Sequence, residues 1–172
     1  MSGEDDLLRS LNEQFGHEVR SEDKALPPEE EEVRRNRKLH AKEVKVLGVF
    51  EHPKGTFVLL RDNGGRAMPI WIGQAEGLAI SVALEGHATP RPLAHDLLKT
   101  LLDHFTASVD SVLVDDLHNA TYYAKICLRH NSSESDIDCR PSDAIAVALR
   151  VRAPIYVAEH VLEEAKVEWE EG

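Results

Sequence analysis

The sequence has few cysteines, no long apolar run and no surplus of basic residues, and each absence narrows its function. Its two cysteines, Cys127 and Cys139, form no C-x-x-C pair, so neither a disulfide framework nor a structural zinc site is predicted. No run of about 18 apolar residues is present, so we expect no membrane-spanning helix. The acidic start, MSGEDDLLRS, lacks the apolar core of a secretory signal. We therefore expect a reduced, cytoplasmic protein without a membrane partner.

Basic residues are in the minority throughout the chain. The 172 residues include 31 acidic and 20 basic side chains, and the formal net charge is −11. Residues 1–41 hold 11 acidic and 7 basic side chains, whereas residues 42–172 hold 20 and 13, so the main part is itself anionic. This balance excludes a protein that coats phosphate backbones with a uniformly basic surface. A phosphate site here would need local arginines and a bound cation.

The first 41 residues differ in composition from the rest. An acidic block at residues 29–32 precedes basic residues at 34–38, an order that favours a solvated helix. Four apolar residues before Pro27-Pro28 have helical spacing: Leu7, Leu8, Leu11 and Phe15. We predict an acidic, partly helical or disordered extension at 1–41, a domain at 42–168 and a tail at 169–172. The alternative for the extension is a docking peptide.

From residue 43 onward the pattern predicts alternating strands and helices. Strands are predicted at residues 43–51, 56–61, 67–72, 109–114, 122–128, 137–139 and 155–157. Helices are predicted at residues 74–85, 90–105, 141–152 and 161–166. Asn63-Gly64 is expected to form a turn with positive φ, and Gly86 to end the first helix. The second helix is expected to bury an apolar face made of Leu93, Leu97, Leu98, Leu101, Leu102 and Phe105.

The chain contains an internal repeat. Residues 79–84 (AISVAL) and 144–149 (AIAVAL) are identical at five of six positions, and both copies follow three predicted strands. Two copies are too few for a solenoid. We predict an α+β fold in which a duplicated β-β-β-α unit forms one mixed, barrel-like sheet with flanking helices. Chance similarity between two alanine-rich helices is the alternative.

Polar residues cluster where strands are followed by helices. One cluster contains Arg91, His95 and Asp96, the other contains Asp138, Arg140, Ser142 and Asp143, and Glu76 stands near the start of the first helix. Arginines near helix N-termini can clamp a phosphate. Carboxylates can hold a divalent metal, and a histidine can move a proton near neutral pH.

Each of these residues also has a structural interpretation. Asp96 and Asp143 are acids in first helical turns, where they complement the helix dipole. Asp138 and Arg140 can form a structural ion pair. His95 and Asp96 are adjacent on a helix and do not face one atom together, so they would have separate roles. Trp71 alternates to the opposite strand face from Ile70 and Ile72, which suits a lid over the barrel end or an oligomer contact.

Three separated motifs resemble the bifunctional nuclease domain family. They are MPIWIGQAEGLAISVAL at 68–84, PRPLAHDL at 90–97 and DCRPSDAIAVALR at 138–150, and the resemblance continues through APIYV to cover about residues 43–166. It implies cleavage of DNA and RNA, a duplicated barrel-like fold and assembly into homo-oligomers. The family's polar motif residues match Glu76, Arg91, His95, Asp96, Asp138, Arg140, Ser142 and Asp143. Ala94 stands where the family commonly has Thr or Ser, so one hydroxyl group is missing.

The leading hypothesis is therefore a nuclease that hydrolyses DNA and RNA phosphodiester bonds with a divalent cation, Mg²⁺ or Mn²⁺. His95, Asp96, Asp138 and Asp143 are its candidate catalytic residues. Arg91, Arg140 and Ser142 would bind the phosphate, and Glu76, Asp138 and Asp143 would bind the metal. The main alternative is a non-catalytic oligomeric interaction or regulatory protein whose polar motifs are buried, mutually satisfied networks. A small-ligand or nucleotide-binding module that uses the same arginines is a third.

Overall fold

The computed structural model describes residues 40–169 continuously, and Pro28, Glu29, Glu32 and Asn36 in addition. The helices predicted in the first 38 residues lie outside the continuous part. The strands are β1 (Ala41–His52), β2 (Gly55–Asp62), β3 (Ala67–Ile72), β4 (Ala107–His118), β5 (Thr121–His130), β6 (Ser133–Cys139) and β7 (Ile155–Ala158). The helices of this part are α1 (Gln74–Glu85), α2 (Ala94–His104), α3 (Pro141–Val151) and α4 (Glu159–Ala165). None of them is long and apolar enough to cross a membrane.

The strands form one mixed sheet in the order β3-β2-β1-β7-β4-β5-β6. Each copy of the repeat is a three-stranded antiparallel meander followed by a helix, and β7 lies between the two meanders. It pairs antiparallel with β1 and parallel with β4. The predicted duplicated α+β architecture is thus confirmed.

The sheet curls without closing into a barrel. Its two edge strands, β3 and β6, do not pair with each other. The Tyr122 hydroxyl of β5 donates a hydrogen bond of 3.3 Å to the Pro69 carbonyl of β3, so opposite parts of the sheet approach each other. The sheet is curved, as the barrel-like prediction implies, but it is not a closed barrel.

The core explains how the helices are placed. The central part of α3, from Ala144 to Ala148, has only apolar side chains, three of them alanines, and every residue there is buried. Small side chains allow the helix to lie close to β4 and β5, in the same core cluster as Val58, Leu60 and Val112. Because α1 lies against α3, the N-terminal ends of the two repeat helices share one neighbourhood.

The second helix differs most from the prediction. It begins at Ala94, four residues late, because Arg91 precedes Pro92 and is kept out of the helical region. The expectation of a buried apolar face was wrong, since no residue of α2 is buried. The exposed members of that face are Leu97, Leu98, Leu101 and Phe105. The predicted turn also differs, because the positive φ lies at Gly65 and not at Asn63-Gly64.

The two repeat helices end alike, and this provides a matched stability test. Gly86 (φ 68°) and Arg152 (φ 58°) both have left-handed backbones after their helices. Only glycine adopts this conformation without strain, so Arg152→Gly should stabilise the protein by about 1 kcal/mol. We expect its Tm to rise by about 2–4 °C in thermal unfolding.

Gly86→Ala is the matched control, because a Cβ at Gly86 meets nothing within 4 Å and so tests backbone strain alone. This variant should lose about as much stability as Arg152→Gly gains. A lower Tm for Arg152→Gly would show that the arginine side chain contributes more than its backbone strain costs.

Candidate active site

The starts of α1 and α3 supply two carboxylates that one arginine joins. Glu76 and Asp143 are each the third residue of their helix, and Arg140 directly precedes α3. The Arg140 Nε and Nη2 donate to Asp143 at 2.7 and 3.1 Å, and Nη1 donates to Glu76 Oε1 at 2.9 Å. The repeat therefore brings together two acids that are 67 positions apart in sequence.

The third helix at this site is α2, which supplies His95. Its Nε2 lies 3.0 Å from Asp143 Oδ1, and its side chain is only 11% exposed. Asp143 therefore contacts the histidine and the arginine together. We call Glu76, His95, Arg140 and Asp143 the four-residue cluster.

Charges within the four-residue cluster stabilise each other. Burial by itself would raise the pKa of Asp143, but the hydrogen bonds of Arg140 and His95 and the charge of Arg140 outweigh it and lower that pKa. The hydrogen bond to Asp143 in turn raises the pKa of Arg140 above its ordinary value. Asp143 and Arg140 are therefore both charged at neutral pH.

Gly73 makes room for Glu76 in the cluster. It immediately precedes α1, and a Cβ built there would overlap Glu76 Oε2. Glu76 thus curls back over a residue that has no side chain. The φ of Gly73 is −73°, which suits any residue, so the effect of a side chain here would be to displace the Glu76 carboxylate.

Asp96 belongs to a different contact. Its Oδ1 accepts a hydrogen bond of 2.6 Å from Arg150 Nε, and its Oδ2 accepts one of 2.7 Å from the Leu93 N–H. Asp96 therefore caps α2 although Ala94 offers no hydroxyl group. The hydrogen bond from Arg150 is the main cause that lowers the pKa of Asp96.

Arg150 is the residue that sequence reasoning missed. It is only 5% exposed, and its Nη1 also donates to the carbonyls of Ala79 and Ala146 at 3.0 and 2.9 Å. It thereby links all three helices around the site. The available signal was its spacing four residues after Ala146, which places a charge on the buried side of α3.

The other predicted residues lie outside the four-residue cluster. Arg91 and Asp138 are exposed, and neither side chain forms a hydrogen bond or ion pair within residues 40–169. Ser142 is buried, with 6% exposed. The alternative Asp138–Arg140 pair is not formed, because Arg140 bonds to Asp143 and Glu76 instead.

The cluster does not have the composition of a metal site. Within the part of the chain that the structure describes, no three His, Cys, Asp or Glu side chains are grouped so that they could hold a metal ion. The Arg140 guanidinium supplies the positive charge between Glu76 and Asp143. The proposed metal ligands Glu76, Asp138 and Asp143 therefore do not fit Mg²⁺ or Mn²⁺ in this arrangement, and a metal requirement stays a prediction.

Comparison with known proteins identifies the relatives of this chain. The bifunctional nuclease domain matches residues 58–170. An uncharacterized protein of Mycobacterium tuberculosis is 44% identical over 126 residues, which are 72% of this chain and 75% of that protein. Bifunctional nuclease 1 of Oryza sativa is 25% identical over 105 residues, and bifunctional nuclease 2 of Arabidopsis thaliana is 28% identical over 113 residues.

These alignments differ in how much of each relative they cover. The rice alignment covers 59% of this chain but only 32% of the rice protein, and the Arabidopsis alignment covers 63% of this chain but only 34% of the Arabidopsis protein. The chain thus spans about a third of the plant proteins' length. The resemblance found in the three sequence motifs is confirmed by a family match that covers well over half of the chain. This protein therefore belongs to the bifunctional nuclease domain family.

Proposed function

We propose that this chain is a nuclease that hydrolyses phosphodiester bonds in DNA and RNA at the four-residue cluster. One observation carries the proposal: an exposed arginine is fixed in place beside a histidine that is hydrogen-bonded to the same carboxylate. An oriented cation and an oriented proton acceptor are the two groups that phosphodiester hydrolysis needs.

Arg140 is suited to bind the phosphate group. Its side chain is 64% exposed, so a ligand can reach it. Three of its five N–H groups are used by Asp143 and Glu76, which leaves two donors for phosphate oxygens. Because the two carboxylates hold the guanidinium, little side-chain entropy is lost when a phosphate binds.

His95 is suited to move the proton. In the neutral tautomer that donates its Nε2–H to Asp143, the Nδ1 lone pair is free to accept a proton from water. The water oxygen then bonds to phosphorus and one P–O ester bond breaks. The leaving oxygen takes up a proton from solvent water, and protonated His95 returns its proton to the solvent. Water as the nucleophile serves DNA and RNA equally, because this step does not use the 2′-hydroxyl group.

The test is a nuclease assay on end-labelled DNA and RNA with Arg140→Gln. The purified full chain is assayed with Mg²⁺, with Mn²⁺ and with a chelator. We expect Arg140→Gln to lower cleavage at least about 100-fold, because it removes the charge that faces the phosphate. The metal arms test the sequence prediction that the anionic chain needs a divalent cation.

Arg129→Gln is the matched control, since Arg129 is a similarly exposed arginine that bonds to Asp110 on β4. It should cleave within about twofold of the unchanged protein, since surface substitutions away from special features have small effects. Activity that survives unchanged in a folded Arg140→Gln protein would indicate a contaminant and refute the proposal.

A second candidate is the non-catalytic interaction protein, and the exposed face of α2 favours it. Leu97, Leu98, Leu101 and Phe105 form a patch of a kind that often marks an interface. We propose a second copy of this chain as its partner, which would make the protein a homo-oligomer. Sedimentation of Leu97→Glu tests this: a smaller species than the unchanged protein supports it, and an unchanged sedimentation coefficient contradicts it.

A further inference from the structure

The first meander carries a row of aromatic rings on one face. Phe50 lies opposite Phe57, and Phe57 lies opposite Trp71, so cross-strand pairing puts all three on the same face. The ring centroids are 5.6 Å apart for Phe50 and Phe57 and 5.3 Å apart for Phe57 and Trp71. Trp169 extends the row, 5.2 Å from Phe50. We call Phe50, Phe57, Trp71 and Trp169 the aromatic strip.

The aromatic strip is not part of the main core. It lies on the face opposite the one from which Val58 and Ile70 reach the core, because side chains alternate along β2 and β3. Trp71 is 50% exposed, although tryptophan usually buries most of its surface. Aromatic residues are only 5% of the chain, yet both of its tryptophans lie here. The strip therefore presents exposed aromatic surface on which a planar ligand could stack.

Basic side chains accompany the rings. Lys45 and Arg61 lie opposite each other across β1 and β2, and Arg61 shares the face of Phe57 because it is four residues further along the strand. Lys54 follows in the turn after β1, next to His52, whose Nδ1 accepts a hydrogen bond from the Lys54 N–H and whose ring lies edge-on to Trp71 at 5.7 Å. A row of aromatic rings with cations beside it is what single-stranded nucleic acid requires, since bases stack and phosphates need counter-charge.

The aromatic strip also leads to the four-residue cluster. Trp71 is the next-to-last residue of β3, and Glu76 lies five residues later in the first turn of α1. Five residues span at most about 18 Å. Helix α1 packs on the other face of the sheet, against the side chains of Thr56 and Ile72. A strand stacked on Trp71 can reach Arg140, which bonds to Glu76, by passing round the end of the edge strand β3.

We propose that the aromatic strip is a stacking platform that binds the bases of single-stranded DNA or RNA and delivers the strand to the four-residue cluster. Delivery of the strand to the four-residue cluster rests on the proposed nuclease function, whereas binding of single strands does not. A duplex keeps its bases stacked inside and cannot use the strip, so the platform selects unpaired substrate.

The two tryptophans make the proposal directly measurable. Both lie in the aromatic strip, so their fluorescence reports on it without background from elsewhere. The full-length chain is titrated, with a chelator present, against oligo(dT), oligo(rU) and a duplex of equal length. We expect both single strands to quench the emission and to bind more tightly than the duplex.

Trp71→Ala should weaken oligo(dT) binding about 5- to 150-fold, which is the range for losing one stacked base. Trp169 still reports binding in this variant, and anisotropy of a labelled oligonucleotide gives a second measurement. Tyr123→Ala is the control, because Tyr123 is a 44% exposed aromatic residue on β5. It should bind within about twofold of the unchanged protein. Circular dichroism checks that both variants are folded.

Three outcomes would overturn the platform: no binding of either single strand, unchanged affinity in Trp71→Ala, or equal binding of the duplex. A concentration-dependent association that Trp71→Ala abolishes would also overturn it, since the strip would then be a subunit contact. Binding that needs Trp71 in a chain without nuclease activity would refute the proposed function alone. Cleavage that needs Arg140 but not Trp71 would refute the platform alone.

Discussion

Asp96→Asn is expected to lower the free energy of unfolding by about 3 kcal/mol, because it leaves the buried charge of Arg150 without its counter-ion. The value is at the lower end for a broken buried pair, since Asp96 is itself about one-third exposed. Asparagine keeps an oxygen that can accept the Leu93 N–H, so the helix cap is retained. Urea unfolding gives the measurement.

Substitution of the other partner, Arg150, should lower the free energy of unfolding by a smaller amount. Arg150→Met removes the buried charge and leaves Asp96, which can be hydrated, so we expect a loss of about 1 kcal/mol. The double variant should be close to Arg150→Met alone, because the unpaired charge is then absent. Equal losses in the two single variants, or additive losses in the double variant, would contradict the assignment of Arg150 as the buried partner.

The pH dependence of this contact has a definite sign. Hydrogen bonding to Arg150 lowers the pKa of Asp96 in the folded state, so the carboxylate stabilises the fold above its unfolded pKa. That stability is lost as the pH falls through the lowered, folded pKa. Asp96→Asn should therefore lose less stability on acidification than the unchanged protein.

His95→Gln should reduce kcat for phosphodiester cleavage about 100- to 10,000-fold, which is the usual contribution of a general base. Glutamine can still donate a hydrogen bond to Asp143, so the neighbouring Arg140 should keep its position. Thermal unfolding should therefore change little, and KM should change less than kcat. His104→Gln, at the exposed end of the same helix, is the matched control.

The pH profile separates a catalytic histidine from a structural one. A histidine base must be neutral to accept a proton, so the cleavage rate should fall as the pH is lowered. This decline should be absent from the residual activity of His95→Gln. Asp143 stays ionised over this range because its pKa is lowered, so it does not add a second decline. A parallel decline in both proteins would show that His95 is not the base.

The strands and helices were largely predictable from local pattern. Alternating apolar residues gave the strands to within a few residues, and proline and glycine positions gave most boundaries. The repeat of residues 79–84 at 144–149 predicted the duplicated architecture, because two similar sequences form two similar units. Predictions failed where a contact decided the outcome. The apolar residues of α2 look like a core face, yet polar contacts of its first turn with α3 hold the helix in place and leave that face exposed.

The sequence indicated which residues are candidates for the site, but not which of them contact each other. His95 and Asp96 are neighbours in sequence, but helical geometry sends them to Asp143 and Arg150, so one enters the four-residue cluster and the other a structural contact. Arg140 could equally well have paired with Asp138, which lies two residues away. The tertiary fold instead brought Glu76 from the other repeat.

By itself, the sequence determined the α+β repeat, the family motifs and the anionic charge, because these depend on composition and on periods of two and 3.6 residues. Only the tertiary structure decided which charges meet, where Arg150 is buried and that both tryptophans lie on one face. Those features depend on approaches between residues 48 or more positions apart, which no local pattern specifies. Basic residues are scarce in this chain. At the candidate active site, the positive charge between the two carboxylates comes from a single arginine, Arg140, which contacts one carboxylate from each half of the repeat.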